Sequence, residues 1–219
     1  MKAGIILSFL KDLAKNNNKD WFHENKPRYE EARKEFEIFV NTLIPEIEKF
    51  DREISGLTAK ECMFRIYNDV RFAKNKPLYK TNFGGFIAKG GKNRGHAGYY
   101  FHIEPGNCFL AGGIYMPQSD TLKAIRKEIY YNHKEFTGIL SDKAFKKFFH
   151  ELDDDKTSRI PNDFPKDFEG AELLKYKSYT VICPLTGELL LSDKLNSHIL
   201  TVYKALMPLN KFLNRALIQ

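Results

Sequence analysis

Residues 98–117 read GYYFHIEPGNCFLAGGIYMP, and the fold turns on them. Tyr99, Phe101 and Ile103 alternate with Tyr100, His102 and Glu104, the two-residue period of a strand that buries one face and displays the other. Pro105, Gly106 and Asn107 then form a turn signal between this run and a second β-rich run. Strands joined by so short a connection pair antiparallel.

Upstream, GGFIAKGGK (residues 84–92) supplies a further strand and a glycine-rich turn. Farther up, Phe64, Ile66, Val70 and Phe72 fall on one parity, with Arg65, Tyr67, Asp69 and Arg71 on the other. As one unbroken strand this segment buries the first set and displays the second in a row. The expectation is an antiparallel sheet of three to five strands over about residues 62–116.

Helical periods lie on either side. Tyr29, Ala32, Phe36, Val40, Leu43, Ile47 and Phe50 recur three or four apart in a long amphipathic helix, with Asp20 as a candidate cap and Pro45 as a kink. After the sheet come runs through Leu122, Ile125 and Ile129, through Phe136, Ile139 and Leu140, and around Phe145. The segment 151–185 reads as an irregular connection with a short helix near Ala171–Lys175. A last helix carries the stripe Leu195, Ile199, Val202, Leu206, Leu209 and Leu213, with Ser192 as cap. The order helices, strands, helices predicts an α+β fold with helices over one sheet face. No repeat and no Pro/Gly/Ser-rich linker divides the 219 residues, so one domain spanning 1–219 is expected.

The 35 Lys and Arg against 28 Asp and Glu leave a formal charge of +7. Its distribution is uneven. Lys60–Gly95 contains nine basic and two acidic residues, and the remaining 26 of each sign balance. Such a segment attracts phosphate or carboxylate over roughly 8–10 Å at physiological salt. Lys89, Lys92 and Arg94 read as its solvated loop. Cys62, Cys108 and Cys183 are far apart and form no C-x-x-C pair, so they read as small core residues of a reducing compartment. The apolar start GIILSFL is too short to span a bilayer and lacks a cleavage signal, and a cytoplasmic protein without membrane partners is expected. No phosphate loop, zinc-protease, nucleophile-elbow or dinucleotide motif occurs, and the histidines show no metal spacing. No cofactor and no metal site are read from the chain.

Four ordered motifs, NNNKDWFHENKPRYE (16–30), FRIYNDVRFAKNKPLYKTNF (64–83), GYYFHIEPG (98–106) and GGIYMP (112–117), resemble the bacterial family known as domain of unknown function 2461. The resemblance implies a one-domain protein and brings no established activity. Arg65, Tyr67, Asp69, Arg71, Lys74, Lys76, Tyr79 and Lys80 match the family's central motif. This chain departs from it at Asn68, Ala73, Asn75 and Pro77-Leu78, where the family carries an arginine, a serine, an acid and Thr-Pro.

Those eight matching residues make the candidate ligand site. Arginine presents a planar fork of donors suited to phosphate or carboxylate, and Asp69 between Arg65 and Arg71 can align both forks. Tyr67 and Tyr79 add donors and a flat wall. The same Arg-Asp-Arg row equally makes a structural ion-pair network. His102 and Glu104, two apart on one strand face, suit an acid-base pair or an ordinary structural hydrogen bond. The small residues Ala111, Gly112 and Gly113 leave room above the sheet or admit close helix packing. The first expectation is a binding or catalytic domain for a small phosphorylated or carboxylated ligand. A nucleic-acid module tracking phosphates, and an interaction domain docking an acidic protein, are the alternatives.

Overall fold

The computed structural model describes residues 1–69 and 77–218. Helices α1 (Ala3–Lys15), α2 (Lys19–Glu24), α3 (Lys26–Glu48) and α4 (Ala59–Cys62) precede strands β1 (Phe83–Ala88), β2 (Gly98–Ile103) and β3 (Cys108–Ile114). Helices α5 (Ser119–Tyr131), α6 (His133–Ser141) and α7 (Lys143–Lys146) follow, then β4 (Tyr179–Leu185), α8 (Gly187–Leu190) and α9 (Leu195–Arg215). The strands form one antiparallel sheet in the order β1-β2-β3-β4. The fold is α+β, as the alternation of periods predicts.

Two details differ from the sequence expectation. The fourth strand is Tyr179–Leu185, inside the stretch read as an irregular connection, and the described residues 64–69 are not part of a strand. Tyr179, Val181, Cys183 and Leu185 do alternate with Thr180, Ile182 and Pro184, but Pro184 within the run conceals the pattern. As an edge strand, β4 tolerates a proline that a central strand would not. Described residues 63–69 and 77–80 pair only through isolated bridges, Met63 with Gly85 and Tyr67 with Tyr79. Backbone bonds from Asn68 N to Leu78 O and from Lys80 N to Ile66 O fold this segment back on itself. Consequently Ile66 is buried whereas Phe64 is 38% exposed, against the single-parity reading.

The core lies on one side of the sheet. Phe101 packs against Phe36 and Phe39 of α3, and Tyr99 against Tyr203 of α9. Gly112 faces α9 so closely that a Cβ there would collide with Leu206 Cδ2, so the small residues admit a helix at this point. Gly113 adopts φ 97°, a backbone state that favours glycine, and its N–H donates to Asn210 Oδ1 at 3.0 Å. One turn later, Asn214 accepts from Ala97 N at 2.8 Å and donates to Ala97 O at 3.2 Å. Two buried amides of α9 thereby satisfy backbone groups at one end of the sheet that the ladder leaves unpaired.

At the other end, Asn17 clasps the backbone of Tyr79, donating to its carbonyl at 2.8 Å and accepting from its N–H at 3.0 Å. The cap of α2 is Asn18, which accepts from Trp21 N, instead of Asp20. Helix α9 starts at Leu195, and Ser192 bonds Lys194 N just ahead of it. Pro45 and Pro208 sit inside α3 and α9. Among the described residues no helix is long and apolar enough to cross a membrane.

Asn214→Ala leaves the buried N–H and C=O of Ala97 without partners. It is expected to lower unfolding free energy by about 1–3 kcal/mol, read as a lower urea midpoint at unchanged slope.

Candidate functional site

Because the helices cover the face of Tyr99, Phe101 and Ile103, the opposite residues line open space. Register sets them side by side: Tyr100 stands between Phe86 of β1 and Ala111 of β3, and His102 between Gly84 and Phe109. A groove of about 1100 Å³ runs over this face. Phe64, Phe86, Phe109 and Ile182 give it apolar walls, Asn82 lies beside His102, and Lys80 also lines it. At the rim, Tyr115 and Met116 are 70% and 68% exposed. Met116 takes φ 44°, an uncommon state for a residue with a side chain, held by a 2.9 Å bond from its N–H to Ser178 Oγ.

A chain of hydrogen bonds leads from Tyr100 and His102, which line the groove, to Glu104, Thr81 and Asn107. Thr81 Oγ1 donates to Glu104 Oε1 at 2.7 Å, and Asn107 Nδ2 lies 3.3 Å from Oε2. Glu104 Oε2 is 3.3 Å from His102 Nε2, and Tyr100 Oη is 2.9 Å from His102 Nδ1. An ionised carboxylate only accepts, so the imidazole proton belongs on Nε2 and Nδ1 accepts from the tyrosine hydroxyl. His102 stacks on Phe109 at 4.4 Å between ring centroids and 11° between planes, which locks the ring. Gly84 is needed beneath: a Cβ there would stand 2.6 Å from Tyr100 Oη.

Burial and partners tune these groups in different directions. Desolvation lowers the pKa of His102, partly offset by its bond to Glu104 and by that residue's charge. Burial works to raise the Glu104 pKa, but the bonds from Thr81, His102 and Asn107 outweigh it and hold the carboxyl below its ordinary value. Burial, then the Glu104 charge, pushes Tyr100 up to about 12. Near neutral pH the chain is therefore a neutral tyrosine, a neutral imidazole and a carboxylate.

The structure distributes the sequence-derived residues over more than one place. Lys80 reaches the groove, where its ammonium lies 5.6 Å from the centre of the Phe64 ring. Burial and the nearby charge of Arg65 both lower its pKa. Arg65 itself is exposed, as is Asp69. Tyr67 and Tyr79 line a separate recess of about 620 Å³ with Phe22 and His23 of α2. There Tyr79 stacks on Phe22 at 4.0 Å, a packing contact more than an open platform. Arg71, Lys74 and Lys76 lie outside the described residues. His102, which lines the groove, meets Glu104 at 3.3 Å and is joined in the groove by Tyr100, whose place on the same parity was the available signal. Of the basic loop, Lys89 pairs with Glu53, Lys92 donates to the carbonyls of Lys60 and Glu61, and Lys92 and Arg94 line the groove's far end.

The chain belongs to the family described as conserved hypothetical protein (DUF2461), whose model matches residues 5–212. No curated protein and no solved structure matches it.

The depressed His102 pKa has a definite sign in folding. A histidine that binds its proton less readily when folded contributes stability that is full above its unfolded pKa, near 6.5, and is lost as pH falls through the folded value. His96 and His198 are shifted the same way. Wild-type stability should therefore decline as pH drops below about 6.5, and His102→Gln should show a shallower decline in pH-dependent urea midpoints, His96 and His198 carrying the remainder.

Proposed function

We propose that the chain binds a small phosphorylated or carboxylated ligand in the groove on the outer sheet face, with Lys80 as its cation. The observation that carries this reading is a partly buried lysine, its amine over the Phe64 ring, in an aromatic-walled groove of about 1100 Å³ that Asn82, Tyr100 and His102 also line. Partial burial lowers the pKa of Lys80, and a partly desolvated amine gains more from an incoming anion than a fully solvated one. Arg65 adds positive potential at that end, its charge being felt at Lys80. Phe64 and Phe109 suit a flat or apolar body attached to the anionic group.

The groove's charge pattern favours a compact ligand over a polymer. Asp120 and Asp153 stand in the same lining as Lys80, Lys92 and Arg94, so a polyanion laid along it would meet charge of both signs rather than a continuous basic track. Mixed charge between apolar walls is the make-up of a small-molecule site.

Phenyl phosphate titrated by calorimetry tests the reading. Lys80→Ala should weaken binding about tenfold or more, the worth of a charge-assisted hydrogen bond, and Arg65→Ala by less, since it acts through the field alone. Equal affinity in wild type and Lys80→Ala would overturn the assignment, as would displacement of phenyl phosphate by a single-stranded oligonucleotide at near-physiological salt.

A further inference from the structure

We propose that the groove hydrolyses a carboxylic ester of a small anionic acid, with water as nucleophile and Tyr100, His102 and Glu104 relaying its proton. This deepens the binding reading and rests on it, because Lys80 holds the substrate's anionic group.

The bonding order supplies the direction of proton flow. Glu104, held by Thr81 and Asn107, fixes the imidazole proton on Nε2 and leaves Nδ1 to accept from Tyr100 Oη at 2.9 Å. The tyrosine's one proton is thus committed to the histidine, and its oxygen keeps its acceptor capacity for a donor in the groove. A water bonded there is activated as it attacks. One O–H bond of the water breaks and its oxygen bonds to the ester carbonyl carbon. The water proton passes to Tyr100 Oη while the Tyr100 proton passes to His102 Nδ1, and the imidazolium so formed faces the Glu104 carboxylate. Collapse of the tetrahedral intermediate breaks the ester C–O bond, and the proton returns along the same chain to the leaving alkoxide. One water is consumed, an acid and an alcohol leave, and nothing is oxidised or reduced.

The surroundings fit this assignment. A tyrosine whose pKa is pushed up to about 12 does not rest as a phenolate, so it serves as a conduit and the histidine as the base. The Asn82 amide, 3.4 Å from Nδ1 and lining the groove, offers a donor to the developing oxyanion. Gly84 contributes by what it lacks. Any side chain there would displace the Tyr100 hydroxyl from Nδ1, and the ring, being the far end of a side chain, could swing aside without disturbing the sheet.

The probe is the adipate half-ester of 4-nitrophenol, with neutral 4-nitrophenyl acetate for comparison and nitrophenolate release as readout. Wild type should hydrolyse the half-ester with the lower KM. Tyr100→Phe and His102→Gln should lower kcat by about 100- to 1000-fold, within the range for general-base catalysis, while Lys80→Ala raises KM for the half-ester alone. Gly84→Ala should lower kcat at an unchanged urea midpoint, which separates loss of alignment from loss of fold. Among the described residues, Tyr100 and Glu104 bond the His102 ring, Phe109 and Asn82 beside it are uncharged, and the groove around it carries the charges of Lys80, Lys92, Arg94, Asp120 and Asp153 with the titratable rings of His96 and Tyr115. The rate should therefore rise with pH along a limb below about 6.5, and Glu104→Gln should move that limb to lower pH, a shift that a structural role would not produce. A half-ester that stabilises the fold against heat yet is released no faster than in buffer, or at the same rate by Tyr100→Phe, overturns the relay and leaves the binding reading standing. If neither the half-ester nor phenyl phosphate binds, both readings fall.

Discussion

The close approach of α9 to β3 at Gly112 governs the rest of the structure. With no side chain at that position, Leu206 enters the space a Cβ would fill, and Asn210 and Asn214 come within reach of the backbone at Gly113 and Ala97. Those amides satisfy polar groups that burial would otherwise leave unpaired, a larger penalty than their hydrogen bonds are worth as net gain. Once α9 lies there and α3 covers Phe101, the apolar stripes of these helices share one core face with the sheet. The other face is left to solvent and to whatever occupies the groove.

Functional chemistry on the open face follows from pleat and register. Alternation along β2 forces Tyr100 and His102 outward because Tyr99 and Phe101 go inward, and pairing with β1 brings Gly84 under the pair. The same register stacks Phe109 on His102. A polar chain on an otherwise aromatic surface is partly desolvated, and this is why the tyrosine and histidine are shifted toward their neutral forms while Glu104, with several donors, stays ionised. Lys80 arrives from a different part of the chain, carried in by the fold-back around Tyr79 that Asn17 secures.

The two halves of the candidate site were unequally legible. His102 and Glu104 could be found because parity on a strand is a local property, visible wherever apolar and polar residues alternate. The row Arg65, Tyr67, Asp69 and Arg71 looked equally regular, yet bridges at Met63 and Tyr67 replace a continuous ladder among its described residues. Without a ladder the pleat is not propagated, so period two in the sequence no longer reports a common face. Phe64 illustrates this: its parity with Ile66 predicts burial, and it lies instead at the groove, beneath Lys80.

Local order is legible in the amino-acid sequence: helices, then a β-rich stretch within about residues 62–116, then helices, together with a cluster of positive charge and a polar parity on β2. These depend on neighbours a few residues apart, where hydrophobic period and turn chemistry act. Only tertiary structure decided that Tyr179–Leu185 completes the sheet, that Lys80 opens onto the groove of Tyr100, His102 and Glu104, and that Tyr67 and Tyr79 face another recess. Each of those outcomes joins segments distant in the chain. Which of them meet is settled by what α9 and α3 bury together, an energy that no single stretch of residues carries.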